Sequence, residues 1–323
     1  MHRAAIAAAV VAGSLAIPGT ASAHGRTGRV AVDYSASVTP LRGSLARAVA
    51  VRVYRADLAL RLVALGSHRV VVLGYAGEPF LRLGADGTYA SRSSLTAAGL
   101  GLVRAGSGTG WQQVSGAPRL TWHDARLRGL PTGINHGRWT LPLLVDGSRA
   151  ELTGPITRVR PPPRWPWLAL AAAFAAAAGL LLALRRPTLL RSAATLLGWI
   201  CAVATIVVAG GFAAASTATE ESWVEAANEI LFALVGVAFL IFGSRDTRAL
   251  AGGSLGVLAL AVGLTDLPVL LHGVVLSALP AGVARTAVAV MVSAGGATAV
   301  VGLAVFFDVL SRYQEPPSLE RYL

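Results

Sequence analysis

The residues best suited to metal or nucleophile chemistry in this chain are six histidines and one cysteine. Cys201 stands alone, so no intrachain disulfide and no cysteine-based zinc or iron–sulfur site can form within one chain. His24 is the pointed candidate. Cleavage after Ala23 would make it the first mature residue, and its free amine and imidazole could then chelate copper(II), an ion that nitrogen ligands suit. His123, His136 or His68 would have to supply a second ligand. The competing account of His24 is an ordinary residue on a frayed terminus. His123 is followed by Asp124, and an aspartate can fix a histidine tautomer. Neighbouring strand residues point to opposite faces, however, so a structural surface histidine explains the pair equally simply.

A second constellation lies in the apolar half. Glu225 and Glu229 are four apart, hence on one helical face, with Asn228 beside them. Arg285 is a plausible partner, and Asp266 and His272 would complete a polar pocket facing outward. Such a pocket could receive a cation or simply hold a helical bundle together. Gly252 and Gly256 form a G-x-x-x-G, and Gly295-Gly296 add small residues further on; close helix packing is a sufficient explanation. All 28 basic residues are arginine, which excludes a P-loop, and no H-E-x-x-H or G-x-G-x-x-G pattern occurs. The expectation is a protein that is not an enzyme.

The elements that must carry these residues follow from composition. With 54% hydrophobic and 14% charged residues, and a mean hydropathy of +0.61, the chain is too apolar for a wholly soluble protein, in which about 25% charge is usual. Between His24 and Arg164 there are 19 arginines against 7 acidic residues; from Trp165 onward there are 8 against 9. Residues 1–23 read as a signal peptide, with Arg3, an apolar Ala4–Ile17 stretch and an Ala21-Ser22-Ala23 cleavage site. A Pro-rich linker, 161–164, leads into Trp165-Pro166-Trp167, whose tryptophans mark a membrane interface.

Five spans are expected, near 165–184, 193–212, 223–242, 249–264 and 283–310, within a bundle reaching residue 312 and followed by a cytoplasmic tail, 313–323. Arginines gather in the first and third connections and in the tail, while the second connection holds Glu220 and Glu221. This places the N-terminal domain outside the bacterial plasma membrane and the C-terminus in the cytoplasm. Residues 265–280, interrupted by Asp266, Pro268 and His272, are expected to be re-entrant or to lie on the outer surface.

Residues 24–160 alternate with period two in runs such as Val30 to Val38 and Leu58 to Leu62, with hairpin signals at Asp86-Gly87 and Asp146-Gly147. About seven short strands suggest an extracytoplasmic β-sandwich, immunoglobulin-like in architecture. The run from Val70 through Gly74-Tyr75-Ala76-Gly77-Glu78-Pro79-Phe80-Leu81-Arg82-Leu83, the Trp122-His123-Asp124-Ala125-Arg126 segment and the Pro-rich linker together resemble a family of actinobacterial multi-span membrane proteins of unassigned function. Members of that family carry a second histidine where this chain has Ala125, so the resemblance lends the metal reading less than it otherwise would.

The expected role is sensing, scaffolding or accessory, with the handling of copper or another metal ion, through the His24 site and the outward-facing polar pocket, as the alternative. The lipid bilayer is one expected partner. Other envelope proteins, or anionic envelope polymers attracted by the arginine excess, are further candidates; nucleic acid is not expected outside the cell.

Overall fold

The computed structural model describes residues 30–54, 59–104, 106, 108–127, 130–131, 133–215 and 220–314, the side chains of 220–222 and 313–314 excepted. The expected signal peptide, His24 and the tail beyond residue 314 lie outside them.

The alternating apolar runs become strands, which stack as two antiparallel sheets. The larger sheet has the order β2–β11–β10–β5–β6–β7–β8, built from Tyr34–Ala36, Ser148–Arg158, His136–Val145, Val70–Leu73, Pro79–Gly84, Gly87–Ser91 and Trp111–Ser115. The smaller has the order β3–β4–β9, from Val49–Tyr54, Ala59–Ala64 and Arg119–Trp122. Leu60 and Leu62 of the small sheet share one core with Val70, Val72, Leu81 and Leu143 of the large sheet. Across the layers, Phe80 meets Trp122 edge to face with ring centroids 5.9 Å apart. This is the expected sandwich, with more strands than the seven read from the sequence.

The two hairpin signals behave differently. Val145 pairs with Ser148, leaving Asp146 (φ 49°) and Gly147 (φ 85°) as the two left-handed turn residues that a type I′ hairpin needs. At the other hairpin Gly84 pairs with Gly87, so Ala85 and Asp86 form the turn, one residue earlier than expected. Gly87 (φ 116°) is instead already in its strand, and a Cβ there would lie 2.7 Å from the Ser115 carbonyl oxygen.

Two short helices, α1 (Gly43–Ala48) and α2 (Leu95–Gly99), decorate the sandwich. Five further helices among the described residues are long and apolar enough to cross a membrane: α3 (Trp165–Leu184), α4 (Pro187–Ala213), α5 (Glu220–Phe242), α6 (Arg245–Thr265) and α8 (Ala281–Gln314), with the one-turn α7 (Pro268–Leu271) between the last two. The chain is therefore an integral membrane protein carrying a β domain. Helices α4, α6 and α8 form the packed centre, whereas α3 and α5 turn most of their apolar side chains outward.

Glycine makes the central packing possible. Gly198 on α4 faces Gly252 on α6 so closely that a Cβ on Gly198 would sit 2.5 Å from the Gly252 Cα. On the other side of α6, a Cβ on Gly253 would sit 2.8 Å from the Gly302 Cα, and one on Gly295 would sit 2.9 Å from the Gly256 oxygen. The G-x-x-x-G of α6 is thus used for close packing, as expected, and Gly198, Gly253 and Gly302 extend it.

The β domain is joined to the bundle by more than its linker. The strand β1 (Ala31–Val32) pairs antiparallel with β12 (Val274–Val275), which lies in the connection between α6 and α8. Residues 265–280 therefore form a short helix and a strand docked on the β domain at one end of the bundle.

Candidate functional site

The Gly74–Glu78 and Trp122–Arg126 segments, distant in sequence, build one surface. After β5 the chain turns through Gly74-Tyr75-Ala76-Gly77, closed by Gly77 N–H donating to the Gly74 carbonyl at 3.1 Å and by Gly74 N–H donating to the Glu78 carbonyl at 2.7 Å. Gly77 adopts φ 80°, and Gly74 must lack a side chain because the Glu78 carboxyl group lies where its Cβ would be. The carboxylate ties this turn to the start of α2. Its Oε1 accepts from the Ser94 and Thr96 hydroxyls, both at 2.8 Å, and from Thr96 N–H at 3.3 Å, while Oε2 accepts from Ala76 N–H at 3.1 Å. Burial opposes ionisation of Glu78, but these donors outweigh it and hold the carboxyl at about 2 against an ordinary 4.5.

Tyr75 then reaches the second segment. Its hydroxyl accepts from Ala125 N–H at 2.8 Å, and its ring covers the Arg126 guanidinium at 4.9 Å. Arg126 also donates to the Leu73 carbonyl at 3.1 Å and to both oxygens of Asp124 at 2.8 Å. Asp124 is 1% exposed and accepts in addition from Trp122 Nε1 at 3.0 Å. The carboxylate considered as an orienter of His123 is thus turned inward to Trp122 and Arg126.

His123 instead joins Tyr75, Glu78, Leu95, Thr96 and Leu100 in lining a cleft of about 500 Å³, beside which Leu95 stands 80% exposed. Among the other histidines, His68 Nδ1 bonds Asp146 at 2.7 Å, and His136 begins β10 as an exposed residue. No group of three or more His, Cys, Asp or Glu arranged to hold a metal occurs among the described residues.

The residues of the proposed membrane pocket are distributed along the domain-facing end of the bundle. Glu225 and Glu229 lie partly buried on α5, and Asp266 is fully buried directly after α6. Arg285 of α8, expected beside the glutamates, donates to the carbonyls of Val269 (3.2 Å), His272 (2.9 Å) and Gly273 (2.8 Å), clasping the connection. A guanidinium with five donors satisfies a loop of bare carbonyls as readily as a carboxylate.

His272 is taken by the β domain. Its Nδ1 bonds Asp33 Oδ2 at 2.9 Å, and Gly273 N–H donates to Asp33 Oδ1 at 2.9 Å. Burial works against ionisation of Asp33, yet these two contacts prevail and keep it below its usual 3.8. Asp33 was missed in the sequence, where it occupies an ordinary polar position of the Val30–Val38 alternation, beside Ser35 and Ser37, and gives no local signal of its contact.

A second missed cluster closes the far end of the bundle. Arg191, 7% exposed, donates to Asp246 at 2.6 Å and also to Asp308; Arg312 approaches Asp308 at 3.1 Å and Asp246 at 3.5 Å. Two of the arginines counted for orientation are therefore neutralised within the bundle. Comparison of the chain with protein-family models, with curated proteins and with solved structures returns no match.

Proposed function

We propose that this is a bacterial plasma-membrane protein that presents its β domain outside the cell and acts without catalysis, as a sensing or scaffolding unit of the envelope. The junction carries this reading. Strand pairing between β1 and β12, together with the Asp33 bonds to His272 and Gly273, couples the domain to the bundle at a second point besides the 161–164 linker. A domain hung on a simple tether would need neither. The Tyr75–His123 cleft is the face on which an envelope partner would dock, since it joins an exposed leucine and tyrosine in a shaped recess. Catalysis is disfavoured because Glu78, the acid in that recess, is held ionised by four donors and His123 lacks the Asp124 contact that would orient it.

Three measurements test the proposal in a Cys201→Ser background. A membrane-impermeant thiol reagent should label Arg92→Cys in intact cells, and a cytoplasm-only reporter fused after Leu323 should be active; labelling only after permeabilisation would reverse the orientation. Ala31→Cys with Val275→Cys, replacing residues that are strand partners, should crosslink in native membranes under mild oxidation. Failure to crosslink would return the domain to a loose tether.

A further inference from the structure

Among the described residues, the outer face of the small sheet gathers arginines without acids. Arg52 on β3 is the direct cross-strand partner of Arg61 on β4, Arg61 is the partner of Thr121 on β9, and Arg119 is the partner of Val63, two residues further along β4. Partners in a sheet share a face, so these three arginines project away from Leu60, Leu62 and Trp122, which enter the core. Opposed side chains in such a sheet have Cβ atoms ~5 Å apart, and diagonal neighbours ~7–8 Å.

Like charges placed directly opposite destabilise a sheet. Here nothing of opposite sign offsets them, since no carboxylate lies within ion-pair distance of Arg52, Arg61 or Arg119 among the described residues. Tyr54 organises the pair instead. Its ring lies 5.0 Å from the Arg52 guanidinium carbon, and its hydroxyl accepts from Arg61 at 3.2 Å. The two planar donor groups are thereby held around one aromatic post, and the Thr121 hydroxyl completes the row.

We propose that this face binds a linear polymer of phosphodiesters, the chemistry of a polyol-phosphate envelope polymer. Guanidinium forks match phosphate oxygens two by two, and successive phosphates along an extended chain can engage Arg52 and Arg61 and then Arg119. The junction with the bundle involves β1, Asp33 and the residue after β11, at the edge of the large sheet, so the arginine face belongs to the other layer of the sandwich. A free polymer rather than the membrane's own headgroups is therefore the occupant. The inference rests on the domain lying outside the cell.

The test uses the full chain in nanodiscs of neutral phosphatidylcholine, with short poly(glycerol phosphate) as the probe and calorimetry as the readout. Saturable binding that weakens with salt is expected. Arg52→Gln/Arg61→Gln should lose about tenfold or more in affinity, with thermal stability unchanged or raised because a like-charge pair is removed. Arg92→Gln/Arg149→Gln removes the same charge from other exposed sites and should change affinity less than about twofold.

Polyglutamate at the same charge concentration should bind weakly. Equal losses in the two double variants, or equal binding of polyglutamate, would reduce the effect to diffuse charge and overturn the proposal. Binding of the nanodiscs to phosphatidylglycerol vesicles without binding of the polymer would assign the face to a lipid surface and overturn it as well. These results are independent of orientation, which the thiol-labelling experiment reads separately.

Discussion

His272, between the last two membrane helices, is hydrogen-bonded to Asp33 at the start of the β domain, 239 residues away in sequence. Asp33→Ala should therefore loosen the junction while leaving both cores intact. A partly buried charged hydrogen-bond pair of this kind contributes about 1–2 kcal/mol, so the melting transition of the solubilised protein should fall modestly and the Ala31–Val275 crosslink should form more slowly. An unchanged crosslinking rate would mean that strand pairing alone holds the domain.

Glu78 makes acid sensitivity a test of the candidate cleft. Its folded carboxyl sits at about 2 against 4.5, so the stabilisation is complete above pH 4.5 and disappears as pH falls through about 2. At neutral pH Glu78→Gln should cost on the order of 2 kcal/mol after allowing for solvent screening. The difference between wild type and variant should narrow between pH 4.5 and 2. A gap that stays constant over that range would show that the donors around Glu78 do not depend on its charge.

Gly74→Ala probes the same motif from the backbone. The added methyl competes with the Glu78 carboxyl group for one position, and a loss of about 1–3 kcal/mol is expected. Combined with Glu78→Ala, the loss should be smaller than the sum of the two single losses, because the clash is relieved. Additive losses in chemical denaturation would separate the two residues.

At the far end of the bundle, Arg191→Ala strands Asp246 and Asp308 with only Arg312 between them. Only the arginine of these pairs is buried, the two carboxylates being a third or more exposed, so the loss should be about 1–2 kcal/mol and thermal unfolding in detergent should report a moderate drop. Asp246→Asn/Asp308→Asn in the Arg191→Ala background should recover part of it. No recovery would mean that Arg191 acts through packing and not through charge.

The five spans were legible because each is a nearly uninterrupted apolar stretch, a local property that composition reveals. The Asp146-Gly147 hairpin was legible for the same reason, as both turn residues take left-handed conformations. Asp86-Gly87 shifted by one residue because the strand register, a property of the neighbouring Ser115 strand as much as of the turn, decided which residues were central. The Arg52–Arg61 row, the Asp33–His272 contact and the assembly of Tyr75 with Ala125 all depend on long-range pairing that no local pattern encodes. His123 was found by residue type, but its neighbours became visible only once β9 and the Gly74 turn were placed side by side.

The β1–β12 pairing also has a temporal side. A ribosome delivers Ala31 and Val32 early, whereas Val274 and Val275 emerge only after four of the five long helices have been made. The strands β2 to β11 can close their sandwich while synthesis continues, because every partner they use is already present. The first strand must wait with its hydrogen-bonding edge open through most of membrane insertion. Completion of the junction is thus coupled to completion of nearly the whole bundle, and any chain halted before residue 274 carries a finished sandwich with an unfilled edge at its beginning.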